Sequence, residues 1–236
     1  MMGLVAVLAL AAGPIAAYNQ GNQLYARKDY AAAALAYQKA LEAGPSAAVH
    51  FNLGNALFKS GRIGQAIVHY RRARYLDPRD GDVPANLNFA RAYRVDKMLV
   101  PQSPLSQALD VAFHRLSRRE AALLGPIFFT LTGACLSLWI VRRWAPLLVA
   151  ATLCGAASLY GIVSQRMWAA EISERPAVVV VPEVNALSGP GEEFKQILLV
   201  HDGTEVEIRE ARGDYLLIQL PGGGGWVPKS AVERVY

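Results

Sequence analysis

The stretch Phe51–Pro78, "FNLGNALFKSGRIGQAIVHYRRARYLDP", aligns without a gap on Tyr18–Pro45, "YNQGNQLYARKDYAAAALAYQKALEAGP". Gly21 and Gly54 are 33 positions apart, as are Ala33 and Ala66, Tyr37 and Tyr70, Ala40 and Ala73, and Pro45 and Pro78. Recurrence at a fixed spacing is the mark of stacked repeats. In each unit a glycine on the first helix and an alanine on the second permit close approach. A tyrosine fills the space between them, and Leu24 or Leu57 follows the glycine on the apolar side. "KSGR" at 59–62 breaks the chain between the helices of the second unit, and Pro45 and Pro78 stop each second helix. "DVPANLNFARAYR", Asp82–Arg94, reads as a final helix that caps the stack.

This pattern resembles the tetratricopeptide repeat family, best in the second copy through Leu53, Gly54, Ala66, Tyr70, Ala73 and Pro78. The resemblance implies a concave partner-binding face carrying Asn22, Tyr25, Asn55 and Phe58. One subtype grips a C-terminal carboxylate. Asn22 and Asn52 match its asparagine positions, while its basic positions carry Tyr18, Asp82 and Asn86. Repeats with their cap are expected over 18–95.

The chain of 236 residues is 53% hydrophobic, high enough to suggest membrane segments. Ala121–Val141 and Ala145–Val163 contain no charge, and about 20 helical residues cross a bilayer core. Two transmembrane helices are therefore expected, joined by a turn of Arg142, Arg143 and Trp144. Trp139, Trp144 and Trp168 sit near the ends, as interfacial aromatics do. Residues 96–120 read as a linker followed by an amphipathic helix carrying Leu105, Leu109, Phe113 and Leu116 at helical spacing. That helix suits a membrane interface or packing on the repeats. Residues 1–17 look like an export signal or, failing that, an uncleaved apolar first helix.

Two spans return the chain to its starting side. An exported N-terminus and a cytoplasmic Arg142–Arg143 turn place both flanking parts outside a bacterial inner membrane, in the periplasm. Arg115, Arg118 and Arg119 would favour the inverse.

From 176 to 236 the texture changes. "AVVVV" is β-branched and continuous, while "TEVEI" and "YLLIQL" alternate; "HDG", "ARGD" and "PGGGG" are turn signals. A small all-β barrel is expected. "NALSGPGEEF", "LVHDGTEVEI", "GDYLLIQL" and "GWVPKSAVERV" occur in the order of the bacterial SH3-like family and are similar to it. Leu187 stands where that family often has a basic residue. Tyr215 and Trp226 offer an aromatic ligand groove, for peptide or peptidoglycan by the resemblance, unless Trp226 instead covers the barrel core.

The net charge of +5 comes from 24 Lys+Arg against 19 Asp+Glu. Arg115, Arg118, Arg119, Arg142, Arg143 and Arg166 flank apolar runs, which points to membrane lipid and not to nucleic acid. Cys135 and Cys154 lie inside apolar runs and read as packing residues. No metal, cofactor or nucleophile motif occurs, and the histidines at 50, 69, 114 and 201 are scattered. An enzyme is not expected.

The order of export signal, repeats, two spans and SH3-like domain resembles the BatE-type proteins of the Bacteroides aerotolerance operon. The resemblance implies an inner-membrane scaffold acting with von Willebrand factor A-type Bat proteins and a MoxR-type ATPase in stress tolerance. The alternative is an envelope factor that binds peptidoglycan through the SH3-like domain.

Overall fold

The computed structural model describes residues 2–97 and 103–236, with side chains from residue 13 onward. Met1 and the Met98–Gln102 part of the expected linker lie outside the described residues, as do the side chains of most of the expected export signal. The chain divides into two compact units, Met1–Val100 with Glu174–Tyr236, and Pro101–Ser173.

The first unit opens with five helices, α1 (Met2–Ala26), α2 (Tyr30–Leu41), α3 (Ala47–Lys59), α4 (Ile63–Leu76) and α5 (Asp82–Ala92). The 33-residue period has a direct steric reading. A Cβ placed on Gly21 would lie 2.5 Å from Tyr37 Cε1, and one on Gly54 would lie 2.7 Å from Tyr70 Cε1. Each tyrosine ring thus occupies the room its glycine leaves. Ala33, Leu53, Ala56, Leu57, Ala66 and Ile67 are fully buried around them.

The turns repeat as well. Lys28 (φ 64) and Gly61 (φ 81) occupy equivalent left-handed positions after the first helix of each pair. Glycine adopts this conformation freely and lysine does so under strain. α2 ends at Leu41, ahead of the left-handed Gly44 (φ 134), so Pro45 follows the stop instead of making it. Val83, Leu87 and Ala90 of α5 close the stack.

The same unit contains β1 (Pro176–Val179), β2 (Glu183–Leu187), β3 (Gln196–His201), β4 (Glu205–Arg212), β5 (Tyr215–Leu220), β6 (Gly223–Pro228) and β7 (Val232–Arg234). All neighbours in the order β3-β2-β6-β5-β4-β1-β7 whose register is resolved pair antiparallel. Leu216, Ile218 and Leu220 alternate into one core with Val206, Ile208 and Val227, the period-2 pattern of a strand with one buried face.

β1 breaks that pattern because both of its faces are covered. Ala177 and Val179 enter the sheet's core. Val178 enters the core of the repeat helices, joined by Val235. A strand buried on both sides reads as a continuous apolar run, which accounts for "AVVVV". β1 therefore lies between two cores and joins the helices and the sheet in one compact unit.

Polar contacts complete this union. Glu205 accepts from Arg91 Nε at 2.8 Å, Arg94 Nη1 at 3.0 Å and Arg71 Nη1 at 3.2 Å. Burial alone would raise its carboxyl, but the hydrogen bond from Arg91 and the charges of Arg91, Arg71 and Arg94 carry it down to about 2. Asp96 accepts from the His201 amide at 2.9 Å and from Thr204 Oγ1 at 2.7 Å. Arg72 donates to the Val235 and Arg234 carbonyls at 3.0 and 2.7 Å.

The second unit holds α6 (Pro104–Phe113), α7 (Arg118–Arg142) and α8 (Ala145–Ser173). The expected amphipathic helix stops at Phe113, so Leu116 lies outside it. Ser117 then begins α7 with a capping box, its hydroxyl accepting from the Glu120 amide while Glu120 answers at the Ser117 amide. α7 and α8 are long and apolar enough to cross a membrane. They cross at small residues: a Cβ on Gly161 would lie 2.8 Å from the Gly125 nitrogen. Ser158 Oγ donates to the Gly125 carbonyl at 2.9 Å in the same contact. Trp168 is fully buried, its indole N–H donating to the Leu116 carbonyl at 2.8 Å. It is a packing residue of this unit and not an exposed interfacial anchor.

Candidate functional site

Four of the residues singled out in the sequence, Asn22, Tyr25, Asn52 and Asn55, line one cavity of about 230 Å³ together with Ala26 and Tyr37. The repeat brings them together. Asn22 and Asn55 are one residue beyond the packing glycines of α1 and α3, and the glycine-filling tyrosines reach them from α2 and α4. Tyr37 Oη donates to Asn22 Oδ1 at 2.7 Å, and Tyr70 Oη donates to Asn55 Oδ1 at 2.8 Å.

These bonds set the direction of the amides. Asn22 Oδ1 also accepts from Asn52 Nδ2 at 3.4 Å, and Asn55 Oδ1 accepts from Asn86 Nδ2 at 2.8 Å. The carbonyl end of each central asparagine is occupied by protein. Its Nδ2 end, which carries two donors, has no protein partner among the described residues. Burial pushes the Tyr37 phenol up to about 12, with the neighbouring phenols of Tyr18 and Tyr25 adding to it. Burial raises Tyr70 further. Both phenols keep their protons at neutral pH and hold the amides in this sense.

None of the six lining residues carries a formal charge. Tyr18 Oη accepts from Asn52 Nδ2 at 2.9 Å, at a position where the carboxylate-gripping subtype has a base. The cavity therefore offers hydrogen bonds to a neutral acceptor instead of a counter-charge to an anion.

Phe58 stands apart from this lining. It packs with Phe89 and Tyr93 of the capping segment, ring centroids 5.4 and 5.2 Å away. Phe89 is 54% and Tyr93 60% exposed, so the cluster presents aromatic surface. Phe89 and Tyr93 were missed in the sequence, where the last helix was read only as a cap. Asn86 was considered only as a lost basic position, and Tyr37 only as a space-filling residue.

Tyr215 and Trp226 lie on the sheet, outside the cavity lining. Trp226 stands opposite Leu217 and Leu187. Its neighbour Val227 enters the sheet core, so the indole is on the other face. It is nevertheless only 8% exposed, with the Arg212 guanidinium 5.4 Å from its ring centroid. Two further histidines are also accounted for: His50 and His69 meet Nδ1 to Nδ1 at 2.9 Å in a buried pair. Among the described residues no group of three or more His, Cys, Asp or Glu is placed to hold a metal ion.

The tetratricopeptide repeat family model matches residues 47–80, which comprise α3, α4 and the turn beyond them. Among curated proteins no match is found. Residues 47–80 are thus a tetratricopeptide repeat, a fold unit suited to protein–protein interaction.

Proposed function

We propose that this protein is a membrane-anchored scaffold whose repeat groove grips an extended, uncharged segment of a partner protein. The observation that carries this reading is the paired orientation of Asn22 and Asn55. Two amide donors one repeat apart, backed by protonated tyrosines, suit the backbone carbonyls of an extended chain. The Phe58–Phe89–Tyr93 cluster, exposed at Phe89 and Tyr93, suits an apolar side chain of the same segment.

Membrane anchoring is supported by the surface of α7 and α8. Leu123, Phe129, Ile140, Leu153 and Leu159 are all exposed. A helix that is apolar all round needs either a protein core or lipid around it. The first 100 residues and the last 63 build one unit, so they occupy one compartment. An even number of crossings between them satisfies this, and α7 and α8 make two.

The finer reading is an inner-membrane protein with the repeat–sheet unit in the periplasm and the Arg142–Arg143 turn in the cytoplasm. The sheet is an SH3-like domain in this reading. The partner is a von Willebrand factor A-type Bat protein, within a MoxR-linked stress-tolerance assembly. Peptidoglycan binding through Tyr215 and Trp226 is less favoured, because Arg212 already covers the Trp226 ring.

The test is co-purification of the full chain with such a partner, beside Asn22→Ala/Asn55→Ala. Loss of two hydrogen bonds of about 1 kcal/mol each is expected to weaken binding by at least tenfold. Unchanged binding by the double variant would remove the groove from the mechanism. Protease protection of a C-terminal tag in spheroplasts would reverse the compartment.

A further inference from the structure

α6 is built in a way that packing within the protein does not explain. It buries none of its residues. Leu105, Leu109 and Phe113 follow one another at four-residue spacing and so form one stripe. Phe113 packs against Tyr160 of α8, the tilted rings 5.4 Å apart between centroids. Leu105 and Leu109 continue the stripe away from that contact and remain 69% and 45% exposed.

The end of α6 is nonetheless firmly held. A helix leaves its last carbonyls without partners, and here one face of α8 supplies them. Tyr160 Oη donates to Ala112 O at 2.6 Å and Ser164 Oγ to Phe113 O at 2.6 Å. Trp168 Nε1 donates to Leu116 O, just past the helix, at 2.8 Å. Donors at 160, 164 and 168 fall on a single stripe of α8.

The level of this joint along α8 identifies what covers the leucines. At about 1.5 Å per residue, Ser164 lies roughly 30 Å from Ala145, one hydrocarbon thickness. If the Arg142–Arg143 turn marks one bilayer surface, α6 leaves α8 at the other. Arg115, Arg118, Arg119 and Arg166 are all exposed around the same level. Arg115, Arg119 and Arg166 have no ion-pair partner among the described residues.

We propose that α6 and the turn after it form a docking surface for anionic phospholipid. The leucine stripe enters the acyl boundary, and Arg115, Arg119 and Arg166 meet headgroup phosphates. An apolar stripe beside a cluster of arginines is the combination that binds anionic interfaces. This rests on the membrane reading of α7 and α8 and adds a lipid class to it.

The test uses the full chain reconstituted in vesicles of phosphatidylcholine alone, or with one lipid in three replaced by phosphatidylglycerol. The native Cys135 and Cys154, inside the spans, are first challenged with an aqueous maleimide. A second preparation has both cysteines replaced by serine and an environment-sensitive fluorophore at Ala108→Cys, beside the stripe. The expected result is unreactive native cysteines, with a probe quenched by lipids spin-labelled near the headgroup. Its emission should shift blue with phosphatidylglycerol, and Arg115→Gln/Arg119→Gln/Arg166→Gln should abolish that shift.

Reactive native cysteines would overturn the membrane reading and this proposal together. Protected cysteines with a water-exposed probe would overturn the docking surface and leave the spans intact. A lipid-embedded probe indifferent to phosphatidylglycerol, or a shift that survives in the triple variant, would overturn the headgroup assignment.

Discussion

Asp202 caps the helix that contains Gly64: its Oδ1 accepts from the Gly64 amide at 3.1 Å. A turn of the C-terminal sheet thereby satisfies an orphan donor at the start of α4, where Arg62 provides no side-chain cap. The contact requires glycine. A Cβ on Gly64 would collide with the Val179 carbonyl and with Asp202 itself.

Gly64→Ala is accordingly expected to part the sheet from the repeat and to cost about 2 kcal/mol or more by overpacking. Asp202→Ala, which loses the cap without overpacking the contact, should cost about 1 kcal/mol. Urea denaturation of the full chain in detergent measures both. The claim fails if Gly64→Ala is as stable as the native chain.

Glu205→Gln leaves Arg71, Arg91 and Arg94 around a neutral amide. Removing one partner of a buried charge cluster costs about 3 kcal/mol. The 20% exposure of the Glu205 side chain moderates this through solvent screening. The expected signature is earlier proteolysis between the repeat and the sheet, with the helical content retained. A native cleavage pattern would contradict it.

Acid should destabilise the repeat–sheet unit in two stages. Burial and the nearby Arg72 charge hold His50 near 4, below its ordinary 6.5. Burial, Arg72, His50 and Arg62 hold His69 near 2. The unfolded chain takes up these protons first, so the contribution present above 6.5 is lost as pH falls through the folded values. Glu205, also depressed, contributes fully above its ordinary 4.5 and loses that contribution on the way down to about 2. Urea midpoints should decline below 6.5 and keep declining below 4.5, where Glu205 joins His69 as His50 drops out. His50→Leu/His69→Leu should abolish the decline between 6.5 and 4.5 and leave only the Glu205 part below it, and an unaltered profile would rule out the histidine pair as its origin.

Gly161→Leu should wedge α7 from α8. The Gly161 position lies against the Gly125 backbone, and small residues are what allow such close crossings. The expected result is a loss of thermal stability in detergent, with more maleimide labelling of Cys135 and Cys154. Native-like melting would show that the crossing is not tightly packed.

The periodic features were the most legible in the sequence. Glycine, alanine and tyrosine at 33-residue spacing were read as packing partners, and the tyrosine rings do fill the glycine gaps. Two helices of membrane-spanning length were legible because each apolar run is long and charge-free. The break after Phe113 was legible in principle, since Ser117 and Glu120 form a capping-box signature, but the leucine spacing across it suggested one longer helix. Trp168 was misjudged because position near a span's end does not reveal what the indole N–H meets.

Within the candidate groove, residue identities came from the repeat register and amide direction from contacts between helices. Asn22 and Asn55 were marked from the chain alone. Their exposed donor ends follow from Tyr37, Tyr70, Asn52 and Asn86, side chains that only packing brings to them.

By itself the sequence determined the repeat period, the two long apolar helices and the strand-rich C-terminal segment. Each depends on intervals of a few residues, or on one unit copied along the chain. The tertiary structure alone decided that the first and last segments form one body. Glu205 meets Arg91 across 114 positions of sequence, and Val178 leaves its own sheet's core for that of the helices. No local period encodes such pairings, because they depend on which faces remain uncovered once the local elements have formed.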